Sequence, residues 1–571
     1  YRPNRANSQS YTVVAEQTQA SVLGIPGVST TVWAYGSRAD GRHQAPAFPG
    51  RTFVTRRHQP ISVNWRNHLV DRQGAPLSHL LPVDQSLALS NLATGVPLAV
   101  HHHGGDTAAE FDGGPDQWQT PKRVEYGPGV ILGDGSGANA PGRDGVTYSY
   151  GNDEEASLKW YHDHAEGMTR LNTYAGLAGL YVVRDANEAA LIKRGELPAG
   201  EQELALILQD RIFTADGSLA FAADPGQYPV PIDPNPLTLP ADQPTHVPEM
   251  FGDIIMVNGL AWPDCEVEAR QYRVRMLNAS DARFYTLDFG SAAVWQIGTD
   301  LGFLNRPLRM SSITIAPGER LDLVIDFSGL AGQKIVVGNS AATPFPFGDL
   351  PVPGSGSDVV MRFSVRKAQR AEGERGESRR VDIGRVRTLR GLAADTPRLP
   401  ATPALPQDVT VRRVLLGEGC DEYGRVTPML GSYDPSGEHN PGTLNFHDPA
   451  TETPRVGSTE IWEFWNTTED AHPVHMHLVR FRILDRQEFT GNLNATVMGS
   501  GWTGVQLTDG EKFGPQLPAP DHEQGWKDTV ICPPGHVTRV LVSFNRPGKY
   551  VYHCHILSHE EHDMMRWFVV S

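Results

Sequence analysis

Cysteine is scarce in this 571-residue chain: there are four, Cys265, Cys420, Cys532 and Cys554. They form no Cys-x-x-Cys pair and no zinc-finger spacing, which excludes a zinc ribbon. Any pairing among them is compatible with an oxidising compartment, but a chain this long buries several cores without disulfides. Methionine is also sparse, at 11 residues with no Met-rich run. No apolar stretch reaches the roughly 18 residues of a transmembrane helix. Basic residues number 50 against 66 acidic ones, a net charge of −16. That balance argues against nucleic acid or a membrane surface as the main partner. The first residue is Tyr1, with no basic segment leading into an apolar one. The expected compartment is extracytoplasmic (periplasmic, secreted or on a spore or cell surface) in preference to cytoplasmic.

Turn-forming residues, by contrast, are plentiful: 58 glycines and 44 prolines. Between them lie short segments such as "RLDLVIDFSG", "TEIWEFWN" and "KYVYHCHIL", rich in Val, Ile and aromatics and often alternating apolar with polar. This pattern predicts an all-β protein built of sandwich or barrel domains. Only "DANEAALIKRG" and "LLPVDQSLALSNL" suggest short helices. Composition places boundaries at 1–184, 185–367 and 409–571, with a charged linker at 368–408.

Histidine is the informative residue. Among 21 histidines are four His-x-His pairs: His101/His103, His162/His164, His475/His477 and His553/His555. Chance placement gives about one such pair. Two pairs fall in the first predicted domain and two in the last, as if one domain type were used twice. The middle segment has only His246, so it is expected to be a spacer or packing domain without metal ligands. On a strand, residues i and i+2 face the same way, so each pair aims two imidazoles in one direction. Eight converging imidazoles exceed what one metal takes and suit a cluster.

In "HCHILSHEEHDMM", alternation sends His553 and His555 to one face and Cys554 to the other. One strand can then bridge two metal sites. His559 and Met564 follow, and His472 precedes the upstream pair in "HPVHMH". A thiolate, two imidazoles and an axial thioether form a blue-copper ligand set; zinc is the alternative for Cys and His, but a lone Cys with Met nearby suits copper better. His562 is expected at the surface or behind the ligands.

At these residues the chain resembles the three-domain multicopper oxidases. The matching motifs are "HHHGG", "WYHDH", "HPVHMH" and "HCHILSHEEHDMM", in order. Further segments, including "VNGLAWPDCEVEARQYRVRMLNAS" and "GWKDTV", resemble the subgroup of bacterial spore-coat laccases, bilirubin oxidases and phenoxazinone synthases. The resemblance implies three cupredoxin-like Greek-key domains and four copper ions. By motif position, the type 1 copper takes His472, Cys554 and His559, with Met564 axial. The type 2 copper takes His101 and His475. The type 3 pair takes His103, His162, His164, His477, His553 and His555.

The implied reaction is one-electron oxidation of a phenol, aminophenol or related organic reductant, passed through Cys554 to reduce dioxygen to water. A metallo-oxidase acting on Cu(I), Fe(II) or Mn(II) is the alternative; the lack of Met-rich segments disfavours it for Cu(I). The resemblance also places Asp112 and Glu560 beside the cluster as proton relays, against an ordinary turn aspartate and surface glutamate. His102 departs from the family pattern and is expected to pack away from its neighbours. Asp163 is expected to be structural. The Gly/Pro-rich stretch 490–524 reads as a pocket wall or as plain loop. Oligomeric state is left open.

Overall fold

Strand Ile61–Asn67 buries Ile61, Val63, Trp65 and Asn67 and half-exposes the residues between them. This two-residue period recurs along the chain and produces paired sheets. The structure is a computed structural model describing residues 1–4, 8–39, 42–131, 139, 143–223, 243–368 and 381–571.

Three pairs of sheets follow one another along the sequence. The first pair joins a five-stranded sheet, with strands between Ser10 and Tyr150, to a four-stranded sheet holding Val100–His103, Ser157–Asp163, Ala178–Arg184 and Gly50–Arg56. Val13, Trp65, Tyr161 and Tyr181 pack between them. The second pair spans Glu203 to Arg366 around Leu208, Val274, Tyr285 and Phe363. The third spans Thr410 to Val570 around Val414, Trp462, Tyr552 and Cys554. Each pair shares one apolar core, as two-layer β domains must. The fold is all-β and cupredoxin-like.

Ser157–Asp163 and His472–Met476 are buried at every position. Their second faces are covered by neighbouring sheets rather than by water. Leu158, Trp160 and Leu180 of the first sheet pair meet Ile207 and Leu277 of the second.

The structure departs from the sequence reading in several places. The stretch Leu80–Leu92 forms turns instead of a helix. Asp84 caps the Ser86 amide at 2.8 Å and also pairs with Arg425, far along the chain. The local turn bond and the tertiary ion pair together outweigh helix propensity. The helix in "DANEAALIKRG" forms as Ala186–Lys193, with Asp185 accepting from Glu188 N at the N-cap. Two more short helices, Thr169–Ala175 and Leu557–Glu561, were not expected from local pattern.

The charged run at 369–380 lies outside the described residues. The connector is docked over 381–399, where Ile383 and Leu389 are buried in one cluster with Leu191, Phe303 and Val324, and mostly exposed over 400–408. The stretch 490–524 is mostly not a loose loop. It continues strand Phe481–Val497, which pairs as a hairpin with Thr503–Lys512. Cys265, Cys532 and Cys554 form no disulfide among the described residues.

Candidate metal centre

Strand register brings the histidine pairs together. His101 lies opposite His162 on adjacent strands of the first sheet pair. His475 lies opposite His553 in the third, with Val474 opposite Cys554. Alternation therefore places His553 and His475 on one face and Cys554 on the other. The two histidine faces meet across the interface between first and third sheet pairs: the rings of His101 and His477 stack at 3.8 Å, and those of His103 and His475 at 3.7 Å.

Three groups form there. The Nε2 atoms of His164, His477 and His553 lie 3.2–3.4 Å from one another. Such a triangle surrounds a point about 2 Å from each nitrogen, the usual metal–imidazole distance. His103, His162 and His555 form a second group, and His101 with His475 a third beside His103.

The free nitrogens support metal binding. His101 Nδ1 donates to the Asp112 carbonyl at 2.7 Å, His162 Nδ1 to the Asp163 carbonyl at 2.8 Å, and His475 Nδ1 to the Asp528 carbonyl at 2.9 Å. In each ring the opposite nitrogen, Nε2, is buried and has no partner. His103 is reversed: Nε2 lies 3.1 Å from Asp528 Oδ1, and Nδ1 is left free. His555 has both nitrogens unpartnered. Buried orphan acceptors are costly unless something binds them, and one anchored nitrogen per ring fixes the tautomer of a ligating histidine. Burial, aided by neighbouring histidines, lowers the pKa of His101, His477 and His555 well below normal. These rings are neutral, as metal ligands require.

On the other face, Cys554 Sγ lies 3.5 Å from His472 Nδ1 and 3.6 Å from His559 Nδ1, and the two nitrogens are 3.3 Å apart. Thr468 Oγ1 holds His472 Nε2 at 2.7 Å. Met564 is fully buried in the same core, and its carbonyl accepts from Cys554 N at 3.0 Å. With no ion beside it, burial raises the Cys554 thiol pKa well above normal. A bound cation would reverse this.

Both proposed acids reach the histidines. Asp112 Oδ2 accepts from His477 Nδ1 at 2.7 Å. Its approach depends on Gly113, at φ 72°, where a Cβ would lie 1.9 Å from the Val100 carbonyl. Burial pushes the Asp112 carboxyl up to about 8. Glu560 lies 3.1 Å from His553 Nδ1 and 3.4 Å from His164 Nδ1. Burial opposes its charge, but these two rings hold the carboxyl below its normal range.

His102 packs its ring on Tyr181 and Tyr150, away from the cluster. Asp163 accepts from Ala99 N, Ala165 N and Asn172 Nδ2, a structural role. His562 is buried rather than at the surface, bonded to Asp421 at 3.1 Å.

Sequence reasoning missed Asp528 and its partner Arg320. The Arg320 guanidinium pairs with both Asp528 oxygens, Nη1 to Oδ1 at 2.7 Å. Arg320 comes from the middle sheet pair, which therefore does more than space the other two. The only sequence signal was Asp528's place within "GWKDTV", a segment noted for resemblance alone.

The cupredoxin-like folds and this constellation define a copper-protein class. A family model described as multicopper oxidase matches residues 425–571. The chain is 37% identical to a laccase of Bacillus stratosphericus and 34% identical to a laccase of Bacillus subtilis (strain 168), each alignment covering 94% of this chain and 90% of the relative. The crystal structure of McoA multicopper oxidase from Aquifex aeolicus has the same fold, with TM-score 0.65 and 24% identity over 100% of this chain and 98% of that one. The chain belongs to the multicopper oxidase family. It is an oxidase that uses oxygen, and copper is its family's cofactor.

Proposed function

We propose a laccase-like reaction in which a small organic reductant, phenolic or aminophenolic, gives up electrons singly beside Cys554 and dioxygen is reduced to water among the eight histidines. The carrying observation is the register that puts Cys554 back to back with His553 and His555, so one tripeptide joins two sites on opposite faces. In this reading His472, Cys554, His559 and Met564 would hold one copper. His101 and His475 hold a second. His103, His162 and His555 hold a third, and His164, His477 and His553 a fourth. Copper supplies reversible one-electron chemistry at the first site and four-electron reduction of dioxygen at the other three.

The protein's own groups do the rest. Burial of all eight imidazoles keeps bulk water away. Asp112 and Glu560 sit where protons must be delivered, each within reach of a ligand ring. Arg320 compensates the charge of Asp528, which orients His103 and His475. A cavity of about 450 Å³ is lined by Pro344, Phe347, Glu469 and Asp470, the last of which lies 3.5 Å from His472. Its apolar walls suit an aromatic reductant.

Copper analysis with visible and EPR spectra, followed by oxygen-uptake rates, tests the reading. Four coppers per chain and turnover of a phenol, an aminophenol or bilirubin are expected. Fast oxidation of Cu(I), Fe(II) or Mn(II) beside inert organic substrates would overturn it.

A further inference from the structure

We propose that a second cavity, between the docked connector and the third sheet pair, binds a small aromatic carboxylate. The cavity holds about 370 Å³. That is room for one substituted ring. Leu301, Leu399, Pro403, Leu541 and Trp526 supply apolar walls, and Arg480 and Arg482 also line it.

Arg482 carries the argument. It is only 3% exposed. Nη2 donates to the Pro400 carbonyl at 3.2 Å, while Nε is buried with no hydrogen-bond partner. Among the described residues it pairs with no carboxylate. The nearby Arg390 and Arg480 share one acid, Glu155, at 2.6 and 3.5 Å. Arg482 is thus left without a carboxylate of its own. The acids that also line the cavity have their own partners: Glu154 with Lys159 at 2.5 Å, Asp106 with Arg546 at 3.1 Å and Asp153 with His58 at 3.1 Å.

A desolvated guanidinium without a counter-charge is costly, and an incoming anion relieves that cost. Its planar fork matches a carboxylate in two-point contact. The apolar walls and the Trp526 indole, with Arg480 4.3 Å above its ring, suit an aromatic body. Sulfate or phosphate would leave oxygens facing these walls without donors. Gly104 also lines the cavity and directly follows His103; a Cβ there would lie 2.8 Å from Asp528 Oδ2. The ligand would therefore sit one residue layer from the cluster's supporting carboxylate. The inference stands on Arg482 and its surroundings, independently of the substrate proposed above.

Calorimetric titration of the copper-loaded enzyme with benzoate tests it. Saturable binding in the millimolar range or tighter is expected. Uncharged benzamide should bind at least about tenfold more weakly, and R482Q should weaken benzoate by at least about tenfold. If R482Q does not fold, Ala404→Trp, on the exposed connector at the cavity rim, should block binding with the metal centre intact. Absence of saturable binding, equal affinity for benzoate and benzamide, or unchanged binding in folded R482Q or in A404W would overturn the proposal.

Discussion

Asp112 Oδ2 lies 2.7 Å from Nδ1 of His477, a residue 365 positions further along the chain. The bond spans the interface between the first and third sheet pairs and fixes a ring whose other nitrogen points into the cluster. Asp112→Asn keeps the shape but loses the exchangeable proton. Turnover should fall about 10–100-fold with copper content unchanged. Oxygen-uptake rates beside metal analysis check this; full activity in the variant would remove Asp112 from the mechanism.

In the copper-free protein the same residue makes stability depend on pH. Burial raises the Asp112 pKa from 3.8 to about 8. The folded state keeps a proton that the unfolded state releases near the ordinary value. Asp112's contribution to stability should therefore fall as pH rises from about 4 to about 8, the span over which only the unfolded chain gives up the proton. Asp112→Asn should remove that contribution, read as the difference between variant and parent at each pH. Urea midpoints measured in chelator at both ends of the window decide the matter.

Asp528 serves two rings, His103 through its carboxylate and His475 through its carbonyl. Asp528→Asn keeps the carbonyl and changes only the carboxylate, so it should lower metal affinity at the His103/His162/His555 group about 10–100-fold. Copper at that group should be lost first on dialysis against chelator, with the type 2 EPR signal retained. Arg320→Ala leaves the buried Asp528 charge uncompensated and should cost about 3–5 kcal/mol of stability. Denaturant unfolding measures it, and a loss below 1 kcal/mol would mean that water or Lys527 compensates.

Met564 is tested by potential rather than activity. Met564→Leu removes the thioether and should raise the type 1 potential while the blue absorption persists. Redox titration of that band gives the answer; an unchanged potential would show that the sulfur does not touch the copper.

Removing copper should also lower the melting temperature, because the metal binds the folded state and the converging rings do not exist in the unfolded chain. Scanning calorimetry of loaded and stripped enzyme gives the comparison. Equal melting temperatures would indicate that the imidazole cage is held by packing alone.

The histidine pairs were legible in the sequence because their chemistry rests on a local rule. Strand alternation fixes which side chains share a face before any partner strand is known, so His553 and His555 separate from Cys554 in one tripeptide. The all-β class followed from the same short-range patterning. The turn at Leu80–Leu92 was not legible, since Asp84 is fixed by Arg425, far along the chain, as well as by its neighbour Ser86. The connector 381–408 looked solvated because its buried Ile383 and Leu389 are isolated apolar residues in a polar stretch.

The sequence by itself determined which residue types offer nitrogen, sulfur and carboxylate donors, and in which strand phase. Only the tertiary structure decided which imidazoles share a group, which nitrogen of His103 stays free, and that Arg320 from the middle sheet pair supports the cluster through Asp528. Those outcomes depend on strand register and on contacts between residues hundreds of positions apart, such as the 208 that separate Arg320 from Asp528. Local periodicity carries no information about either.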